Sequence, residues 1–421
     1  MIKTLLFDLD GTLLDLDENE FVRAYTQRLA LHMEPRFAPE RFGRALMSGV
    51  HAMTQNLDAA RSLKTVFGER FYAELGTSEA EQDAELRRFY SQSFPALRTH
   101  SRPLPLARTV MQWAQQAGLE VAIATNPLFP HTAVSQRLEW AGVGEAEFSY
   151  RLVTSYECAH FAKPTAEYWA EVLAVLGRRP AEVMVIGNDY ALDIAPAMQL
   201  GATAYWVAPP GQLLPQGGLA PAGQGSLADF FVWVREAGRL DAVVPEKLDP
   251  PALLPCLRAT PAALQAALCV LPEAQWSERG DPQEWSPLEI LCHLRDTEIE
   301  VVLPQQAQVL AEQNPFIVRG DTNQWVVDRA YNASDPVETM LVYMAARQAM
   351  VARLQALPAA EWQRPARHTV FGPTRLCELA AIAVEHDRAH VAQARATVNA
   401  ILARHGGVSE LADERDLGSR G

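Results

Sequence analysis

Four short stretches in the first half of this 421-residue chain carry side chains that suit work on a phosphate ester. Phe7-Asp8-Leu9-Asp10-Gly11-Thr12 ends an apolar run in two carboxylates two residues apart, just before a glycine. That spacing puts Asp8 and Asp10 at the carboxyl end of a strand, where parallel α/β sheets bind ligands. Val121-Ala-Ile-Ala-Thr125-Asn126 is a second apolar run ending in a hydroxyl, suited to hydrogen-bonding a phosphoryl oxygen. Lys163, before Pro164, is one of only four lysines among 37 basic residues, so a lysine at this point is informative. A third run, Val183-Met-Val-Ile-Gly187-Asn188-Asp189, delivers a further carboxylate, and Asp193 follows four residues on. The second half offers imidazoles instead. Histidine is scarce, ten in all, yet His386 and His390 stand at i, i+4, one face of a helix and a spacing used by helix-borne metal sites. That pair alone fits a structural role as readily as a ligand role; His293, on another helix, can come opposite it if the two helices run antiparallel.

The elements that must position these groups change character along the chain. Residues 2–9, 121–125, 183–187 and 202–207 are continuous apolar, β-branched-rich runs separated by helical stretches, which predicts a parallel α/β sheet. Between the first two runs, residues 21–32, 39–53, 59–74 and 79–91 read as helices, a helical insertion between two strands of one sheet. A Pro/Gly-rich break at 208–225 precedes a short helix at 226–238, and a second break at 244–255 holds Pro245, Pro250, Pro251 and Pro255. After Pro255 no strand is expected. Helix starts are signalled at Thr260-Pro261, at Ser286-Pro287 with Glu289, at Asp335-Pro336 with Glu338, and at Thr374, the pattern of a helical bundle. The segment 314–332, with Trp325, reads as a packed loop, and the acidic tail from 405 as disordered.

Composition narrows the function classes. At 48 % hydrophobic and 21 % charged, the chain has enough apolar side chain for real cores, and its length suits two or three domains of roughly 100–200 residues. Net charge is −14, with both halves acidic, which argues against a nucleic-acid partner. Five cysteines, Cys158, Cys256, Cys269, Cys292 and Cys377, form no C-x-x-C pair, so neither a disulfide framework nor a thiolate zinc site is expected. Acidic residues arrive by position 8 and no apolar run approaches the roughly 20 residues of a membrane span. A cytoplasmic protein with no membrane partner is expected.

In order, the motifs at residues 8–12, 125, 163 and 189–193 resemble those of the haloacid dehalogenase superfamily over residues 1–240. The resemblance implies Asp8 as nucleophile, forming an aspartyl phosphate, and Asp10 as the acid that protonates the leaving oxygen and then activates water. Thr125, Asn126 and Lys163 would hold substrate, and Mg²⁺ would take Asp8, Asp189 and the main-chain carbonyl of Asp10, with Asp193 behind Asp189. Members that break carbon–halogen bonds lack an acid at the Asp10 position, so phosphoryl transfer is favoured, and the insertion resembles the helical cap of the phosphatase branch. Arg23, Tyr25 and Arg44 in that cap are candidates to meet a substrate, with a solvated surface role the favoured reading for each.

Trp285-Ser286, His293 and His386-x-x-x-His390 resemble the DinB-like four-helix bundle family, in which three such histidines hold one divalent metal. Three neutral nitrogens suit Zn²⁺ or Ni²⁺. The expected architecture is an α/β parallel-sheet (Rossmann-like) hydrolase core, residues 1–15 and 103–240, with an α-helical cap at 16–102. A linker at 241–255, an all-α four-helix bundle at 256–404 and the tail 405–421 complete it. The leading expectation is a Mg²⁺-dependent phosphatase of small phosphorylated metabolites fused to a metal-binding bundle. The alternatives are thiol-dependent transferase chemistry at the histidines, using a low-molecular-weight thiol, or a bundle that serves homodimer formation or sensing.

Overall fold

The computed structural model describes residues 1–241, 246–318 and 320–405, so the expected tail from 406 onward and part of the expected linker lie outside the described residues. The chain divides into two compact units, Met1–Trp169 with Arg179–Glu246, and Ala170–Arg178 with Lys247–Gly421.

In the first unit, β1 (Thr4–Phe7) is buried along its whole length, as a central parallel strand must be. The chain then pairs β2 (Leu14–Leu16) antiparallel with β3 (Ser101–Pro103). Between these two strands come α1 (Glu18–Met33), α2 (Pro39–Thr54), α3 (Leu63–Leu75) and α4 (Glu79–Arg88). Local signals set their starts: Asp17 caps α1 by accepting from Glu20 N–H at 2.9 Å, and Ser78 forms a reciprocal capping box with Glu81 on α4. Next are α5 (Ala107–Gln116), β4 (Glu120–Ile123), α6 (His131–Trp140), α7 (Ala166–Leu176, which is counted with the second unit from Ala170 onward), β5 (Val183–Gly187), α8 (Ala195–Gln199), β6 (Thr203–Val207), β7 (Gly223–Gly225) and α9 (Leu227–Trp233). The sheet is parallel throughout, in the order β4-β1-β5-β6-β7. The strand β7 falls in the stretch read as a break. Its Gly-Gln-Gly sequence has no apolar side chain to announce it, and at the sheet edge it needs none.

Register positions the site. Phe7 stands opposite Ile123 on one side and Ile186 on the other, so the three strands end level. The ladder carries on for one more residue, with Ala124 N–H donating to the Phe7 carbonyl (2.7 Å) and Asp8 N–H to that of Ile186 (2.9 Å).

The second unit is built from α10 (Pro250–Leu268), α11 (Pro287–Thr297), α12 (Leu303–Ala311), α13 (Trp325–Asp328), α14 (Pro336–Gln355) and α15 (Leu376–Arg404). A π-type turn at Glu298–Val302 joins α11 to α12, so the long elements are four and make a four-helix bundle. Capping at Ser286 is reciprocal with Glu289, whereas at Asp335 only the forward half forms, from Glu338 N–H at 2.7 Å. Two expectations are corrected. The first bundle helix begins at Pro250 rather than at Thr260-Pro261, taking in the end of the expected linker, and Pro255 and Pro261 lie inside it. Proline removes an N–H from the helix ladder, and here other groups take up the freed carbonyl: that of Leu257, four residues before Pro261, accepts from Arg347 Nη1 at 3.1 Å. Nor is the unit purely helical. A small sheet, in the order β10-β9-β8, pairs β8 (Phe316–Ile317) parallel to β9 (Pro365–His368), which turns through Gly372 at φ +72° into antiparallel β10 (Gly372–Arg375). Among the described residues no helix is long and apolar enough to cross a membrane. None of the five cysteines is in a disulfide.

Candidate functional site

Because β1, β4 and β5 end level, Asp8, Thr125 and the Asn188-Asp189 pair lie just past one edge of the sheet. Lys163 enters this edge and joins two carboxylates: its Nζ is 2.7 Å from Asp8 Oδ1 and 2.6 Å from Asp193 Oδ1. All three side chains are buried. Burial works against the ammonium, but Asp193 and Asp8 outweigh it and hold Lys163 above its ordinary range. One cation shared by two carboxylates leaves the deeper one underserved, and burial pushes Asp193 up to about 7. Gly187 makes room for it: a Cβ there would stand 2.4 Å from Asp193 Oδ2.

Asp193 Oδ2 also accepts from Asp189 N–H at 3.1 Å. The Asp189 carboxylate is itself partly engaged, its Oδ1 capping the following turn from Ala191 N–H (2.7 Å) and Leu192 N–H (2.9 Å). On the opposite side of Asp8, Thr12 Oγ1 lies 3.2 Å from Oδ2. With its amide nitrogen turned inward, Asn188 reaches Asp8 Oδ2 at 3.2 Å and the Asp10 carbonyl at 3.0 Å. Gly11, at φ +80°, allows this approach; a Cβ there would meet the Asn188 amide at 2.3 Å. Thr125 and Asn126 are also brought in. The Thr125 carbonyl accepts from Thr154 Oγ1 (2.7 Å) and the Tyr168 hydroxyl (2.8 Å), and Asn126 Oδ1 accepts from Lys163 N–H (3.3 Å).

Asp10 has a partner that the sequence reading overlooked. Arg137 of α6, 1 % exposed, donates through Nη1 to Asp10 Oδ2, and its guanidinium lies 4.6 Å from the Phe129 ring centroid. Asp10 Oδ1 and Arg137 Nη2 are both buried without a hydrogen-bond partner. Burial drives the Asp10 carboxyl up and Arg137 pulls it back, to about 6. Glu18, in the first turn of α1, belongs to the same electrostatic field: burial and then Asp8 raise it. The signal for Arg137 in the sequence is a charge among Ala133, Val134 and Leu138 of α6, all buried; Glu18 has no local signal. Of the cap residues read as surface, Arg23 and Arg44 are exposed, while Tyr25 is buried with its hydroxyl 2.9 Å from that of Tyr90.

In the second unit α11 and α15 bring the three histidines together. One ring nitrogen from each of His293, His386 and His390 falls within 4.8 Å of the others, and the Nε2 atoms of His293 and His386 are 3.2 Å apart. Trp285 stacks on His390, with centroids 5.6 Å apart and planes at 6°, and packs against His293 at 5.0 Å. Burial, and then the proximity of His390 and His386, takes His293 down to about 3; burial and His386 take His390 down to about 4. His293 and His390 are therefore neutral at pH 7, the form that ligates metal.

A family model for haloacid dehalogenase-like hydrolases matches residues 2–201, and one for the DinB superfamily matches residues 257–394. The chain joins a haloacid dehalogenase-like hydrolase domain to a DinB-superfamily domain. No curated protein matches it. Solved structures similar to the hydrolase domain include a haloacid dehalogenase-superfamily phosphatase from Thermococcus onnurineus, with 16 % identity, 56 % of this chain and 98 % of that one covered, and a TM-score of 0.38. Another is the L-2-haloacid dehalogenase of Xanthobacter autotrophicus, with 21 % identity, 56 % and 100 % covered, and a TM-score of 0.35. The DinB domain is similar to YfiT from Bacillus subtilis, described as having a four-helix bundle topology, with 19 % identity, 38 % and 89 % covered, and a TM-score of 0.33.

Both sites suit metal on their own chemistry. In the hydrolase domain, Asp8 Oδ2 and the Asp10 carbonyl converge on one point, now bridged by an amide N–H donor, and both are the hard oxygen donors that Mg²⁺ takes. In the DinB domain, three imidazoles gather with a single polar contact among them, a donor set for a borderline-soft divalent ion with positions to spare.

Proposed function

We propose that the hydrolase domain is a Mg²⁺-dependent phosphatase of small phosphorylated metabolites, and that the DinB domain holds one divalent ion, Zn²⁺ or Ni²⁺, on His293, His386 and His390. The observation that carries the phosphatase reading is Asp10. It is a half-buried carboxyl, 18 % exposed, beside the nucleophile candidate, poised by desolvation and Arg137 at about 6, close to the working pH of a general acid and base. Dehalogenation expels halide, which takes no proton, and so needs no acid for its leaving group.

In this reading Asp8 attacks phosphorus, the bond to the leaving oxygen breaks, and Asp10 gives that oxygen its proton. Asp10, now a carboxylate, takes a proton from water as that water attacks the aspartyl phosphate. The P–O bond to Asp8 breaks, releasing phosphate and restoring both residues. Lys163, fixed between Asp8 and Asp193, orients the attacking oxygen and offsets negative charge, and Thr125 and Asn126 hold the phosphoryl group and the loop behind it. Mg²⁺ held by Asp8, Asp189 and the Asp10 carbonyl would neutralise the equatorial phosphoryl oxygens. The test is hydrolysis of p-nitrophenyl phosphate, then of a phosphorylated-metabolite panel, with Mg²⁺ and with EDTA. Release of halide from 2-haloacids with no phosphate release would reject the reading.

The donor set of the DinB domain supports a second reading. Three nitrogens leave coordination positions for a thiolate, which suits thiol-dependent transferase chemistry. Metal-dependent consumption of a low-molecular-weight thiol, surviving in Asp8→Asn, would establish it.

A further inference from the structure

Two of the three DinB-domain imidazoles have their ring orientation set from behind. His390 Nδ1 lies 2.9 Å from Gln393 Oε1, and His386 Nδ1 lies 3.2 Å from Asp387 Oδ1. Each acceptor oxygen requires Nδ1 to carry the proton, which leaves the Nε2 lone pair for the shared point. Gln393 reaches His390 from the next turn of the same helix. Asp387 is different, because its other oxygen is tied into the centre of the bundle.

Asp387 Oδ2 accepts from Arg347 Nη2 at 2.6 Å. Arg347 also grips Glu298 bidentately, Nε to Oε1 at 2.8 Å and Nη2 to Oε2 at 3.0 Å, and gives Nη1 to the Leu257 carbonyl. That carbonyl is available because Pro261 cannot donate to it. The guanidinium on α14 thus binds the main chain of α10, the end of α11 and the carboxylate on α15, one attachment to each of the other long helices. The three charged side chains are between 1 and 5 % exposed. Such a cluster is expensive to bury, and apolar residues of equal volume would serve packing as well. It also does not balance: two carboxylates face one guanidinium, leaving a buried negative charge directly behind His386.

We infer that Asp387, clamped by Arg347 and Glu298, is the positioning residue of the three-histidine centre: it fixes His386 with Nε2 toward His293 and His390, and supplies the negative charge that makes the site favour a divalent cation. The inference rests on reading the three histidines as a metal centre. Outer carboxylates of this kind typically change metal affinity by about 10–100-fold.

The test is Zn²⁺ affinity of the full chain by chelator competition, with the visible spectrum of the Co²⁺-loaded protein as a second readout and metal-free melting as a third. Asp387→Asn keeps the volume and an acceptor oxygen but removes the charge. It is expected to weaken Zn²⁺ by about 10–100-fold and to shift the Co²⁺ spectrum, while His386→Ala loses more. Affinity within about twofold of the parent and an unchanged spectrum, whatever the melting temperature does, would overturn the inference and leave Asp387 a packing residue. Should Asp387→Asn fail to fold, Arg347→Lys decides. It keeps the positive charge but loses the planar fork, so Zn²⁺ should weaken by about tenfold, and parental affinity would overturn the inference. If the parent chain and His386→Ala bind Zn²⁺ equally, the metal centre itself is wrong, and the inference falls with it.

Discussion

In the hydrolase domain the candidate site is a set of carboxylates around one ammonium, placed by strand ends; in the DinB domain it is three imidazole rings, placed by helix faces. The first is stabilised by pairing between opposite charges: Lys163 serves Asp8 and Asp193, and Arg137 serves Asp10. The second gathers groups that share no such attraction, and the opposing charge is held one layer behind, on Asp387. The contrast teaches where each site is vulnerable. Removing one group from the charged site leaves a buried neighbour unpaired, whereas removing a ring from the histidine site leaves mainly a weaker ligand set.

The largest expected effect separates the two outright. Asp8→Asn should lower phosphate-ester turnover by about 10³-fold or more, since it removes the nucleophile at nearly constant volume, and should leave the zinc content of the DinB domain unchanged. Turnover near the parental rate would remove Asp8 from the chemistry. In the reverse experiment, His293→Ala, His386→Ala and His390→Ala should each cost most of the bound zinc by metal analysis and leave phosphatase turnover alone. A loss of turnover in these variants would mean that the sites are coupled, and the comparison would break.

Within the charged site, Asp10→Asn should slow hydrolysis of alkyl phosphates by about 10²–10⁴-fold and that of activated aryl phosphates far less, because only the former need a proton on the leaving oxygen. Arg137→Met should follow the same leaving-group pattern with a smaller loss, and adding it to Asp10→Asn should change nothing further if it acts through Asp10 alone. Equal losses on both substrate types would return Arg137 to a packing role.

The smallest effect is one of sign. In the metal-free DinB domain His293 and His390 titrate at about 3 and about 4, against 6.5 for the free side chain, so between these values the folded domain binds fewer protons than the unfolded chain. The stability these rings contribute is complete above pH 6.5 and is lost as pH falls toward 4. Asp10 at about 6 and Asp193 at about 7, against 3.8, behave oppositely: the folded hydrolase domain binds more protons, and stability from these groups is lost as pH rises through 6 to 7. Calorimetry of the chain in EDTA, taken from about pH 7 to about pH 5, should move the two domains' transitions in opposite directions from these groups. A parallel shift would show that other titrations dominate.

Much of this organisation is legible in the residues. Runs such as Val183–Gly187 could only be buried strands, and Ser286 with Glu289 marked a helix start that forms as a reciprocal cap. What escaped had weak or misleading local signals. Gly223–Gly225 pairs through main chain alone, and Pro255 read as the end of a break and Pro261 as a helix start although one helix runs through both. Arg137 and Arg347 could be noticed as charges inside apolar stripes, but nothing near them in sequence names a partner.

The sequence by itself determined which chemistries were present and their short-range geometry. Asp8 and Asp10 stand two apart on a strand end, and His386 and His390 stand one turn apart on a helix, because the rise and period of those elements are fixed by backbone sterics and hydrogen bonding. Tertiary structure decided which of these groups meet. Asp10 finds Arg137 across 127 positions, Lys163 reaches Asp8 across 155, and His293 meets His386 across 93. Those pairings depend on strand register and helix packing, which sum many weak, non-directional burial terms over each domain, and no local spacing encodes that sum.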